Sequence, residues 1–382
     1  MKNSDYLYLD HAATTPMREV ALKAFIEAEN EGYANSSGGH NLSRKAKNIL
    51  EESREQIANV FGAAPNEIIF TSGGTEADNW IIKSLFIKGI SPNSNLVTTN
   101  IEHEAVLASA EWIKLNDYKV TFAECLDNGI VDAEKFLSEI DESTIVASVM
   151  LANNETGIVQ PVHNLIKKTL EKNNETIFHS DVVQAVVSKK IDFHKIGIQS
   201  AAISAHKIGG PKGVGAMFLN NKFKLPSLFH GGKQELERRA GTVNVAGVAS
   251  FAAALKEQQE NFDLEINIIK KEKEIFETII KDNFNVKVIG EEEERLAHIS
   301  NIQFENINSE VLMVDLDLNG LGVSRGSACA SGAQKPSHVL EAMGIGKDNI
   351  NNHLRFSFGW STDSGDGKKA ANIVLNSLEN LS

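Results

Sequence analysis

Short β-branched runs alternate with stretches of helical periodicity through the first two thirds of this 382-residue chain, and that alternation restricts the fold more than any other feature. Residues 67–70, 95–98, 119–122, 144–151, 176–179 and 201–204 read as buried strands, with helical patterns at 43–60, 75–86, 104–115 and 162–171. A chain that returns through a helix after each strand builds βαβ units, and these give a mostly parallel sheet covered on both faces. The predicted class is α/β. After about residue 254 the texture changes, because 256–295 holds twelve acidic and seven basic residues. Leu264, Ile268, Ile275 and Ile279 recur there at helical spacing, which predicts an amphipathic helix with a solvated charged face. It opens a smaller α+β domain, with strands near 302–304 and 354–358 and a helix around 310–318.

Charge and cysteine content exclude several function classes. Asp and Glu total 51 against 38 Lys and Arg, a formal net charge of -13, which repels phosphate backbones and anionic bilayers and argues against nucleic acid or membrane as a direct partner. The longest nearly apolar run, 245–255, is about half of the ~20 residues a membrane helix needs. The N-terminal stretch lacks the long hydrophobic region of a secretory signal, so a cytoplasmic location is expected. Cys125 and Cys329 are the only cysteines, too few for a disulfide framework or a four-thiolate metal site. No resident metal is expected, and a functional cysteine must act through its own sulfur.

Several segments at strand ends carry residues suited to chemistry, and ligands of open α/β sheets bind at the carboxyl ends of strands. Thr71-Ser72-Gly73-Gly74-Thr75-Glu76 follows a strand and opens a helix. Its small residues let backbone N–H groups approach an anion at the positive helix end, although an ordinary turn capped by Thr75 fits the same string. Ser204-Ala205-His206-Lys207 also follows a strand. A lysine there is ordinarily solvated; buried, its amine would lose its proton more readily and could form a Schiff base. Asp181 closes an apolar strand, where a carboxylate either caps the next segment or meets a cation such as the pyridinium nitrogen of pyridoxal phosphate. His103 precedes a helix and Asn154 follows a strand. Cys329 sits in the small-residue run Gly326-Ser327-Ala328-Cys329-Ala330-Ser331-Gly332, ill suited to a packed core, whereas Cys125 reads as the end of a strand before a turn.

Taken together, these motifs, from Leu9-Asp10-His11-Ala12-Ala13-Thr14-Thr15-Pro16 to Leu354-Arg355-Phe356-Ser357, resemble those of the cysteine desulfurases, pyridoxal-phosphate enzymes of the class V aminotransferase group with the fold-type I architecture. The resemblance spans nearly the whole chain, and the Gly326–Cys329 run is similar to that of the longer-loop group, which serves iron–sulfur cluster assembly and tRNA thiolation. It implies a large cofactor-binding domain over 15–255 and a small domain formed by 1–14 and 256–382, with the catalytic cysteine loop at about 322–335. Lys207 matches the lysine that carries pyridoxal phosphate, Asp181 the partner of the ring nitrogen, and His103 the histidine stacked on the ring. Asn154 and Gln184 match side chains beside the ring oxygen, and Gly74, Thr75, Ser204 and His206 match the phosphate cup. Thr242 matches a phosphate ligand supplied by the neighbouring subunit, which implies a homodimer. Asn35 and Arg355 match groups that hold the substrate carboxylate, a task suited to a bidentate guanidinium.

The implied reaction takes sulfur from L-cysteine, leaves L-alanine, and passes a Cys329 persulfide to an acceptor or iron–sulfur scaffold protein. An iron–sulfur cluster on Cys329 would be transient, because one thiolate makes no stable site. The implied alternative is a selenocysteine lyase or another class V aminotransferase-like enzyme. Arg325 departs from the pattern, standing where a second serine is common; it could act on the Cys329 thiol or on acceptor docking.

Overall fold

A computed structural model describes residues 6–87, 91–326, 336–346 and 349–381. The chain opens with β1 (Leu7–Tyr8) and then builds a seven-stranded sheet from β2 (Ile68–Thr71), β3 (Asn95–Thr99), β4 (Lys119–Ala123), β5 (Thr144–Ser148), β6 (Ile177–Asp181), β7 (Ser200–Ser204) and β8 (Gly215–Leu219). Its order is β2-β8-β7-β6-β5-β3-β4. Every pairing is parallel except the two made by β8. Because those two reversals cancel, β2 runs in the same direction as β7, and its carboxyl end reaches the same edge of the sheet. Apart from the edge strand β4, nearly all of these strand residues are buried, as expected of a sheet with helices on both faces.

The predicted strands and helices of this region are present with small shifts of their ends. β5 is shorter than the apolar run 144–151; beyond it Val149 and Leu151 still donate to the β6 carbonyls of His179 and Asp181, while the Met150 N–H turns to the Glu102 carboxylate, 2.8 Å away. β8 is an addition to the elements expected.

Beyond the sheet, the helix Val245–Asn283 runs unbroken for 39 residues, with the Asn244 side chain accepting from the Gly247 N–H at its start. It passes through the position 255/256 at which the sequence suggested a change of domain. Its first turns contribute Val248, Phe251 and Leu255 to the core around the large sheet. Its later turns contribute Ile269, Phe276 and Ile280 to a second core. The apolar stripe expected from the sequence is not the face that is buried: Leu264 is 64% exposed, and Ile268, Ile275 and Ile279 are only half-buried. The buried face includes Glu272, Lys273 and Glu277, whose charges hid it from a purely apolar pattern.

The second core lies under an antiparallel sheet of β9 (Val286–Val288), β10 (Ile299–Phe304) and β12 (His353–Ser357), ordered β12-β10-β9, with the helices Ser309–Leu318 and Asp366–Leu381. β11 (Leu321–Gly322) pairs with β1 in parallel, so the N-terminal residues join this part of the molecule. No helix among the described residues is long and apolar enough to cross a membrane.

Candidate active site

The carboxyl ends of β2, β6 and β7, together with the turns after β3 and β5, enclose a cavity of about 430 Å³. Gly74, Thr75, His103, Asn154, Asp181, Gln184, Ser204, His206, Lys207 and Arg355 all line it, residues separated by up to most of the chain length.

Lys207 stands on the 3-10 turn Ala205–Lys207 that leaves β7, and its Nζ donates to the carbonyls of Ala12 (2.6 Å) and Ala13 (2.8 Å). A strap of residues 12–18 crosses this turn and fixes it. Thr15 donates from both N–H and hydroxyl to the His206 carbonyl, and buried Arg18 donates from Nε to the Ile208 carbonyl. Arg18 is itself clamped by Glu265, with both Nη atoms at 2.7 Å from its carboxylate, and by Glu257 at 3.0 Å. His206 Nδ1 lies 3.1 Å from the Thr14 hydroxyl; burial, with Lys207 and Lys212 nearby, lowers its pKa to about 4, so the ring is neutral.

The floor is acidic and buried. Asp181, the last residue of β6, accepts from the Val183 N–H at 2.8 Å. Burial pushes its pKa up, against the opposing pull of His103 and Lys207. Asp78 and His103 bring a carboxylate oxygen and an imidazole nitrogen so close that the three groups lie within 4.8 Å of one another. His103 caps the helix Glu104–Leu115, its Nδ1 accepting from the Ala105 N–H. Asp78 meets His179 Nε2 at 3.0 Å, and His179 Nδ1 meets the Ser200 hydroxyl at 3.2 Å. Burial lowers the His179 pKa to about 3, so the ring is neutral and this close contact is a hydrogen bond rather than an ion pair; burial also raises the pKa of Asp78. Glu102 is also buried, and its pKa rises to about 8, chiefly from desolvation.

At the other end, β2 leads through Ser72 and Gly73 into the helix Gly74–Ser84. Gly73 has φ +154° and ψ -176°, a conformation essentially reserved for glycine. A Cβ on Gly74 would lie 2.8 Å from the Val183 side chain, so both glycines are fixed by geometry. Glu76 accepts from the Ser72 N–H and pairs with Arg239 through Nε (2.9 Å) and Nη2 (3.1 Å). Burial acts to raise the Glu76 pKa, but Arg239 and Ser72 outweigh it and hold the carboxyl below its usual range.

Arg355, on β12, is 2% exposed and donates to the Asn154 carbonyl and to Asp10 Oδ1, both at 2.9 Å, leaving Nε without a partner among the described residues. Gln184 is oriented from two sides, donating to the Ala12 carbonyl at 2.8 Å with its Oε1 3.2 Å from His298 Nε2. Burial drives the His298 pKa well down, so a neutral ring serves as that donor.

Asn35 does not line this cavity: it is exposed, and its Oδ1 accepts from the Ser37 N–H within its own turn. Thr242, expected to serve a neighbouring subunit, is exposed beyond the helix Gln234–Glu237 and lies outside the cavity of its own chain. Cys329 lies outside the described residues. Arg325 is turned toward Glu310 (3.4 Å) and Asn351 (3.2 Å).

Sequence reasoning singled out none of Asp78, Glu102, His179 or His298 as parts of this site. The signal that could have found Asp78 is a carboxylate flanked by Ala77, Trp80 and Ile81 on the buried side of a helix.

The class V aminotransferase family model, described as "Aminotransferase class-V", matches residues 7–367. The chain belongs to that family. Among its class V relatives, a protein of Bacillus subtilis (strain 168) described as "Putative cysteine desulfurase IscS 1" is 38% identical over 98% of this chain and 99% of its own. A solved structure described as "NIFS-LIKE PROTEIN" superimposes with a TM-score of 0.91 at 30% identity, covering 98% of this chain and all of the other. Another, "SspA in complex with cysteine", gives a TM-score of 0.81 at 29% identity and covers 92% of this chain and 98% of the other. These class V matches extend across both cores.

Proposed function

We propose that the chain is a pyridoxal-phosphate-dependent cysteine desulfurase that releases sulfur from L-cysteine, forms L-alanine, and carries the sulfur as a persulfide on Cys329. The observation that carries this reading is the convergence of Lys207, the acidic floor around Asp181 and the glycine turn Ser72–Thr75 in one cavity. Burial pushes the Asp181 pKa up despite the pull of His103 and Lys207, and a protonated pyridine nitrogen against Asp181 would offset that burial further. The turn at Gly73–Gly74, the amide groups at the helix start and the Ser204 hydroxyl suit a phosphate at the opposite end. A phosphorylated flat cation fits this pair of ends better than a bare metal ion, which would need only the floor. Pyridoxal phosphate bound there would supply an electron-accepting ring that stabilises charge at the substrate Cα.

The chain's own residues divide the remaining work. Lys207 Nζ, held in place by the strap of residues 12–18, would carry the group and move the Cα proton. Asp181 would hold a proton at the ring nitrogen of a bound cofactor, and Gln184 and Asn154 would serve its ring substituents. His103 would cover the ring and relay a proton to the substrate. Arg355 lines the cavity and would take the substrate carboxylate by exchanging its single Nη2 contact with Asp10; Asn35 joins it only if its turn rearranges. The Cys329 thiolate attacks the substrate sulfur; an S–S bond forms, the Cβ–S bond breaks, and its electron pair at Cβ takes a proton to become the methyl group of alanine.

The exposed position of Thr242 supports its use by a second copy of the chain, hence a homodimer. The persulfide passes to an acceptor or scaffold protein for iron–sulfur assembly or tRNA thiolation, in a reducing compartment such as the cytoplasm, where a free thiol persists. The test is purified protein with L-cysteine. Cys329→Ala is expected to keep the absorbance of the bound cofactor while losing persulfide formation and alanine production; full alanine production by that variant would overturn the proposal.

A further inference from the structure

Glu155 is a buried acid, 1% exposed, for which the reaction above has no use. It sits on the turn after β5 beside Asn154, and that turn is held from every side. Its own N–H donates to Asn153 Oδ1 at 2.9 Å, and its carbonyl accepts from Asn301 Nδ2 at 3.2 Å. The neighbouring Asn154 carbonyl accepts from Arg355. Its carboxylate therefore has a fixed origin relative to the cavity.

That carboxylate reaches both flanks of the stretch containing Cys329. On the leading flank, Gly326 packs so closely that a Cβ there would lie 2.9 Å from Glu155 Oε2, and its φ of +126° already disfavours any side chain. Ser324 holds the approach, exchanging backbone hydrogen bonds with Arg355 and donating from its hydroxyl to the Gly326 carbonyl at 3.2 Å. On the trailing flank, the Ser337 hydroxyl donates to the same Oε2. Ser337 also accepts from the Leu340 N–H at 3.2 Å, which makes it the cap of the helix His338–Ala342, and His338 Nε2 lies 3.0 Å from the Glu102 carbonyl. Glu155 Oε1 has no partner among the described residues.

We propose that Glu155 is a positioning residue for sulfur transfer, a buried post to which Gly326 is packed and Ser337 is hydrogen-bonded, so that both flanks of the Cys329 stretch are anchored beside Asn154 and Arg355. The inference rests on the reading of Cys329 as the sulfur carrier. Two flanks fixed at one carboxylate set where the stretch begins and ends relative to the substrate, and hence how often the thiol meets the sulfur. Reactions that depend on such placement lose about 100-fold for misplacement on the order of 1 Å.

The experiment compares Ser337→Ala, Ser337→Thr, Glu155→Ala and Glu155→Gln in the cofactor-loaded enzyme. Two quantities are read: the absorbance change on adding L-cysteine, which reports substrate binding, and the single-turnover rate of persulfide formation on Cys329. Ser337→Ala and Glu155→Ala are expected to slow persulfide formation by about 10- to 100-fold with substrate binding unchanged. Ser337→Thr and Glu155→Gln, which keep the donor and an acceptor, are expected to restore most of the rate. Ser337→Ala leaves the carboxylate in place, so it remains informative if Glu155→Ala folds poorly. Wild-type persulfide rates in Ser337→Ala and in folded Glu155→Ala would overturn the inference, as would equal losses of binding and rate. Turnover that survives Cys329→Ala would instead sink the sulfur-carrier reading, whatever the Glu155 variants do.

Discussion

His179 Nε2 and Asp78 Oδ1 meet at 3.0 Å directly beneath the acidic floor of the cavity, with both side chains excluded from solvent. The imidazole is neutral, and the pKa of Asp78 is pushed up by burial and by the neighbouring Asp181 and Glu102. Asparagine keeps the shape and an acceptor oxygen without a charge to bury. Asp78→Asn should leave unfolding free energy within about 1 kcal/mol of wild type, whereas Asp78→Ala, which strands the buried imidazole, should cost about 1–3 kcal/mol. Urea titration of both variants checks the difference; equal losses would show that the contact with His179 does not depend on a retained acceptor oxygen.

Glu102 gives stability a pH dependence of defined sign. Its folded pKa of about 8 lies above that of an exposed glutamate, so through the interval between them the folded state holds a proton that the unfolded state has released. Stability must then fall as pH rises through that window, by up to about 1.4 kcal/mol per pH unit from this one group. Glu102→Gln should flatten the slope between pH 6 and 8 relative to wild type, read from unfolding curves in a pH series. An unchanged slope would show that Glu102 ionises normally.

Lys207 is the side chain on which the proposed chemistry depends most directly. Lys207→Ala should remove the lysine-dependent cofactor absorbance and reduce turnover of L-cysteine by about 10²–10⁴-fold or more, as expected when a positioned proton-transfer group is lost. Absorbance spectra and alanine assays of the purified variant report the two effects separately.

Arg54 holds both carboxylate oxygens of Glu235 at 2.7 and 2.8 Å, while the Phe70 N–H donates to the same group at 2.9 Å. Glu235, Leu236 and Glu237 all have left-handed backbone angles, with φ of 48°, 58° and 64°, so this ion pair secures a strained segment. Glu235→Ala leaves Arg54 with only the half-exposed Glu51 and the Ile68 carbonyl, strands the Phe70 N–H, and should cost about 1–3 kcal/mol, measurable by denaturant unfolding. A loss below 1 kcal/mol would mean the strain relaxes once the anchor is gone.

The long helix offers a direct test of which face matters. Phe276→Ala, in the second core, should cost about 3–5 kcal/mol, and Leu264→Ala, on the exposed side, no more than about 0.5 kcal/mol. Reversed magnitudes would restore the face suggested by apolar spacing alone.

Much of the fold is legible in the chain because strand and helix periodicities are local. The apolar runs that became β2 to β7 and the helical patterns between them are set by neighbours a few residues apart. The helix Val245–Asn283 was misread on its buried face because Glu272, Lys273 and Glu277 break the apolar pattern. Glu277 is buried in partnership with Arg295, at 2.8 and 3.1 Å, and Lys273 donates to the Leu296 carbonyl. Such pairings join residues distant in sequence and leave no local trace.

The candidate site divides in the same way. Residue type and motif order already marked Lys207, Asp181, His103 and the Ser72–Thr75 turn, since each sits at a strand end whose chemistry is visible in its own few residues. The sequence by itself determined the α/β class, family resemblance and most of the groups that carry chemistry. Only the tertiary structure placed Arg355 against Asp10, put neutral His298 behind Gln184, buried Asp78 and Glu102 beneath Asp181, and left Asn35 and Thr242 outside the cavity. The reason is desolvation: a carboxyl or imidazole acquires its charge state from everything packed around it, and that environment is assembled from segments hundreds of residues apart.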